Sequence, residues 1–243
     1  MTSEQLREGR QHRRWTQVQA AARLGVSQPY LALMESGRRR VPDALARRAA
    51  RLYELSPAVL PLETGWADLP RWKERELAVF LAGLGYPGLA WMKPVRTKNP
   101  AEVLLAALSC DDLESRLTEA LPWVALRYPD LDWGRLVPAA QTRNLQNRLG
   151  FVTTLARRLA EARGDSEAAA LLAEPEARLD EARLAREDTL CHRSLSEAER
   201  RWLRENRPPE ARHWNLLTDL SPEHLRYAVY TDSGALEVVS LRH

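Results

Sequence analysis

Cysteine is nearly absent from these 243 residues: Cys110 and Cys191 stand far apart, without CxxC spacing. That pattern supports neither a zinc site nor a disulfide framework, and it suits a reducing cytoplasm. Long apolar runs are missing too. None approaches the roughly 20 residues needed to span a bilayer, and no signal peptide opens the sequence, so a cytoplasmic protein without a membrane partner is expected. Repeats and low-complexity tracts are lacking. So are the signatures of several enzyme classes: there is no Walker loop, no G-x-S-x-G and no paired-carboxylate signal above the charged background. His192, His213, His224 and His243 lack H-E-x-x-H or other metal-ligand spacing. Two stretches, Arg186 to His192 and Arg207 to His213, fit the loose Arg-x4–6-His spacing of HEPN-type ribonucleases, a match that chance supplies where arginine is this common. Pro208 and Pro209 are expected to spoil a helical arrangement in the second. The reading is therefore a non-enzyme with no metal and no cofactor.

What is present is arginine, unevenly placed. Residues 1–60 hold eleven arginines against five carboxylates, about +6, whereas the whole chain carries only +3. A basic head on a net acidic body concentrates attraction for a polyanion at one end. The length admits a small N-terminal module and a larger remainder with a core of its own.

The most informative stretch is Thr16 to Gly37, TQVQAAARLGVSQPYLALMESG. Thr16 caps a short helix with Ala20, Ala21 and Leu24 on its inner face. Gly25-Val26 make the turn. Ser27 caps a second helix carrying Leu31 and Met34, which stops at Gly37. Two capped helices crossing at a tight turn leave the start of the second free to enter a DNA major groove. Around them, a first helix spans 3–13 and a fourth begins near Pro42. A fifth short one follows Ser56-Pro57, and Trp15 precedes the Thr16 cap as one half of a hydrophobic staple. Residues 61–69 read as a linker.

The remainder, 70–243, reads as a mostly α-helical domain for dimerisation and for binding an effector or partner. Helices are expected over 71–84, 101–108, 112–127, 133–141, 143–163, 166–173, 175–186 and 196–206, with a short one from Ser221-Pro222. Asp232-Ser233-Gly234 between β-branched runs predicts a short C-terminal β-hairpin. Six tryptophans scattered through this part are expected to anchor its core, with one or two left for a pocket or partner surface.

Arg10, Thr16, Gln17, Ala21, Gly25, Ser27, Gln28, Leu31, Glu35, Gly37 and Pro42 fall at family spacing. On them, residues 3–60 resemble the phage-repressor/Cro-like helix-turn-helix of xenobiotic-response-element regulators, a five-helix lambda-repressor-like fold of bacterial DNA-binding proteins. The resemblance implies that Gln17, at the start of helix 2, meets a DNA phosphate with its backbone N–H and its side chain. It places Gln28 at the base-reading position, where an amide can bond adenine N6 and N7 together. Pro29, Tyr30 and Leu33 occupy the neighbouring groove-facing positions but depart from the polar family pattern; Leu33 packing inside the protein is the alternative. Arg38, Arg39 and Arg40, with Arg13 and Arg14, are read as phosphate contacts. Arg10 and Glu35 match a pair that ties the first helix to the third. The implied function is a sequence-specific regulator, a repressor binding double-stranded DNA as a homodimer on a palindromic operator. Val137–Leu159, with its NRLGF run, is more weakly similar to abortive-infection-type antitoxins. That implies an alternative: autoregulation through the head and neutralisation of a protein partner through the body.

Overall fold

A computed structural model describes residues 1–62, 66, 68, 70–93 and 97–225. The C-terminal hairpin expected around Asp232 lies outside the described residues, as does part of the expected linker.

The head is built from α1 (Ser3–His12), α2 (Gln17–Leu24), α3 (Gln28–Glu35) and α4 (Asp43–Tyr53). Thr2 and Thr16 both form capping boxes, each accepting from the backbone three residues on while a Gln side chain returns to the cap. The fifth expected helix is a single 3-10 turn, Pro57–Val59. A compact cluster closes the head, with Leu6, Leu24, Leu31, Met34 and Tyr53 all at 1% exposure or less. Trp15 packs edge-on against Tyr53, ring centroids 5.8 Å apart.

A second, larger apolar cluster organises α5 (Glu74–Gly83), α6 (Pro100–Leu108), α7 (Ser115–Arg127), α8 (Trp133–Gln141), α9 (Gln146–Ala162) and α10 (Ser166–Glu181). β1 (Asp188–Thr189), α11 (Glu197–Asn206), α12 (Pro209–His213) and β2 (Leu216–Leu217) follow, the two strands pairing in parallel. The fold is mostly helical. Among the described residues, no helix is long and apolar enough to cross a membrane.

α9 is the axis of the body, buried on nearly every side between α7 and α10. Its NRLGF run explains why. The Asn147 amide donates to the Leu184 carbonyl at 2.9 Å and accepts from its N–H at 2.8 Å. Arg148 forks onto Asp188 at 2.9 and 3.0 Å and donates to the Leu108 and Cys110 carbonyls. Gly150 leaves room for the fully buried Trp214. The polar atoms of this run are spent inside the body, tying β1 and the ends of α6 and α10 to one helix.

Several boundaries differ from expectation for identifiable reasons. The helix expected at 112 starts at Ser115, because Asp112 and Leu113 bond to Ser194 and Cys191 instead. The helix expected at 143 waits for Gln146 behind Asn144, whose φ is +57°. The two helices expected at 166–173 and 175–186 are one. α10 runs through the buried Pro175, because packing against α9 outweighs one lost backbone bond, and it ends where Asn147 captures Leu184. Pro208 and Pro209, expected to spoil a helix, start α12 instead as its cap and first residue. Trp123, Trp133 and Trp214 are core, whereas Trp91 and Trp202 are 74% and 55% exposed.

Candidate nucleic-acid interface

The turn between α2 and α3 follows from its residues. Gly25 takes φ +66°, which side-chain-bearing residues rarely adopt, and Val26 N–H closes back on the Ala21 carbonyl at 3.0 Å. Arg48 of α4 donates to the Leu24 carbonyl at 2.7 Å, and a Cβ on Gly25 would meet its guanidinium at 2.9 Å. Ser27 then caps α3, accepting from Tyr30 N–H. We expect Gly25→Ala to lose about 1–2 kcal/mol, from left-handed strain together with displacement of Arg48. A urea unfolding series of the full chain checks this.

Arg10 and Glu35 tie α1 to α3 as expected. The guanidinium meets the carboxylate bidentately, Nε to Oε1 at 2.7 Å and Nη2 to Oε2 at 2.9 Å, with Nη1 on the Trp15 carbonyl at 2.9 Å. The two side chains are 12% and 3% exposed. Hydrogen bonding to Glu35 holds the Arg10 pKa above its ordinary value. Nearby, burial pushes the Tyr53 hydroxyl up to about 12.

Glu35 does more than hold Arg10. Gln17 Nε2 donates to Glu35 Oε2 at 3.0 Å, and Gln17 Oε1 accepts from Gln28 Nε2 at 2.8 Å. A continuous chain therefore runs Arg10–Glu35–Gln17–Gln28, from buried ion pair to half-exposed recognition helix. It fixes the sense of both amides. With its carbonyl oxygen and one N–H uncommitted in this chain, Gln28 keeps the pair of groups that an adenine edge requires. The Gln17 side chain is thus a buttress for Gln28 rather than the phosphate ligand expected of it, because both ends of its amide are taken by Glu35 and Gln28; its backbone N–H is one of the orphan donors at the start of α2.

The other expected residues are placed as follows. Pro29 is exposed in the first turn of α3, and Leu33 is 39% exposed, so it does not pack inside. Tyr30 is half-buried, with the Arg39 guanidinium 4.6 Å from its ring centroid. Arg38, Arg39 and Arg40 are all exposed, and Arg40 makes a 3.5 Å pair with Asp43. Arg14 is exposed with φ +56°. Arg13 corrects the reading. Its guanidinium donates to the Tyr53 carbonyl at 3.1 Å and pairs with Glu54 at 2.5 Å, bracing α1 against the end of α4 rather than facing outward. Val18, 67% exposed beside Gln17, was not singled out, although a β-branched residue in the open first turn of α2 is itself a signal.

Two helices crossing at a left-handed glycine, with a capped second helix whose outward start carries an oriented amide and whose end carries an arginine loop, define a helix-turn-helix. Residues 3–62 match the profile of a family described as a helix-turn-helix domain. No curated protein and no solved structure matches the chain.

Proposed function

We propose that this chain is a sequence-specific transcriptional regulator, a repressor that acts in the cytoplasm by binding DNA rather than by catalysis. The observation that carries this reading is the hydrogen-bonded chain ending on Gln28. An amide held in one orientation at the start of a recognition helix discriminates a base edge, whereas a free-swinging one discriminates less. Backbone phosphates are met by the Gln17 N–H and by Arg14, Arg38, Arg39 and Arg40. Pro29, Tyr30 and Leu33 supply apolar contact, suited to thymine methyl groups. One head of this size covers only a few base pairs, so useful specificity calls for two half-sites about one helical turn apart. That favours a homodimer on a palindromic operator, with the body joining the two heads.

Gln28→Ala and Arg39→Ala separate the two kinds of contact. Gln28→Ala should cost about 1–3 kcal/mol on the preferred site and relax specificity at one position of each half-site. Arg39→Ala should weaken binding to all sequences alike and lower the slope of log affinity against log salt by about one. Gel shifts on preferred and scrambled duplexes at several salt concentrations read both; equal losses on both duplexes for Gln28→Ala would remove its base-reading role.

A further inference from the structure

The relay Arg10–Glu35–Gln17–Gln28 has a direction, and its buried end sets it. Arg10 donates from Nε and Nη2 to both Glu35 oxygens, so the carboxylate can only accept. Gln17 must therefore face it with Nε2, at 3.0 Å, and turn Oε1 toward Gln28. Gln28 must answer with Nε2, at 2.8 Å. Turning either amide over would set two acceptors or two donors against each other. Gln28 is left with one acceptor, Oε1, and one of its two Nε2 hydrogens; among the described residues its side chain makes no other hydrogen bond. We infer that this pair of groups selects an adenine unmethylated at N6, and that methylation of that N6 releases the protein from its DNA. This selectivity belongs to the DNA site of the regulatory reading above and rests on that reading.

The hydrogen count decides among the base edges. In the major groove adenine presents one donor, N6–H, and one acceptor, N7, which together use both free groups of Gln28. Guanine presents two acceptors, O6 and N7. The second Nε2 hydrogen that would serve them is spent on Gln17, and Oε1 would face O6. Cytosine offers a donor alone and thymine an acceptor alone, so each leaves one group of Gln28 unmatched. Pro29 and Leu33, both exposed on α3, have no polar side-chain atom with which to make good the difference.

A paired adenine keeps one N6 hydrogen for thymine, and the other points into the major groove. In N6-methyladenine the methyl group takes the place of that second hydrogen, because the first is needed for the base pair. Gln28 Oε1 then meets a carbon and loses its donor, and an acceptor taken from water without a partner is costly. A swinging amide would turn away from the methyl group. This one is held by Gln17, which is held in turn by Glu35, whose side chain is 3% exposed. The rigidity that sharpens the reading of adenine therefore sharpens the rejection of its methylated form.

The probes are versions of one selected duplex, altered at the adenine where Gln28→Ala relaxes specificity. In gel shifts with the full chain, N6-methyladenine there should weaken binding about tenfold per half-site, and about a hundredfold when both half-sites carry it. 7-Deazaadenine, which lacks the N7 acceptor, should also cost about tenfold per half-site. A methyl group on N6 of another adenine in the half-site should cost less than about threefold, which separates the contact from any change in duplex shape. Gln28→Ala should bind the methylated and unmethylated duplexes alike. Gln17→Leu cuts the relay and leaves Arg10 on both Glu35 oxygens, so its helix signal should be unchanged. Its preference for adenine over guanine at that position, and its methyl penalty, should each fall at least about threefold. Equal binding of methylated and unmethylated duplexes, an equal methyl penalty in wild type and Gln28→Ala, or a selected site with no adenine at that position overturns the selectivity. An undiminished adenine preference and methyl penalty in Gln17→Leu overturns the part given to the relay. A chain that binds no duplex better than its scramble overturns the regulatory reading instead.

Discussion

Glu35→Ala should abolish DNA binding and unfold the head. The substitution strands the Arg10 guanidinium at 12% exposure without its bidentate partner and removes the acceptor of Gln17. Breaking a buried ion pair by deleting one side costs about 3–5 kcal/mol, a large share of what a module of this size can hold. Urea unfolding followed by circular dichroism should show a new early transition, with the larger share of the helix signal melting as before. The double variant Arg10→Met with Glu35→Leu sharpens the test. Replacing both charges by apolar groups of similar volume restores folding in many buried pairs. Here it should restore the head but not the DNA affinity, because Gln17 and Gln28 lose their anchor. Full recovery of specific binding in the double variant would show that the hydrogen-bonded chain is structural only.

Gly150→Ala should destabilise the body strongly, against the direction that helix propensity predicts. Alanine in mid-helix is favoured over glycine by roughly 1 kcal/mol. At Gly150, however, an added Cβ would stand 2.3 Å from the Trp214 ring. That ring cannot step aside cheaply. It is fully buried, and its indole N–H donates to Thr154 Oγ1 at 2.8 Å, one turn further along α9. Overpacking of this kind costs about 1–3 kcal/mol, and a contact this short belongs at the upper end, so after the propensity gain the net expectation is a loss of about 2 kcal/mol. Gly150→Ala with Trp214→Leu should recover part of it by vacating the space. Thermal unfolding of the three proteins settles the sign; a stabilised single variant would mean that the Trp214 ring yields.

Local chemistry was legible in the sequence, and crossings were not. Thr16, Gly25, Ser27 and Gly37 announce themselves, because a cap or a left-handed glycine is decided by residues within four positions. The Arg10–Glu35 pair was reached through family resemblance, and the geometry agrees. The Gln17–Gln28 bond was missed because it exists only once α2 and α3 cross. Arg13 was misplaced for the same reason: in sequence it equals its neighbour Arg14, and only the packed end of α4 separates their roles. In the body, Pro175 and Pro209 show that one residue type can be traversed by a helix or begin one, depending on what it packs against. The NRLGF run stood out in the sequence, and its polar atoms prove to be occupied by the body itself.

The proposed regulator reads sequence in double-stranded DNA through the start of α3. The most direct measurement is selection of duplexes from a random pool by the full chain. The enriched site is then compared with a scrambled one at physiological salt. The expected result is an enriched inverted repeat, with half-sites about one turn apart, bound roughly a thousandfold or more tightly than the scramble. A pool that stays random, with all duplexes bound alike and only as salt allows, would contradict it.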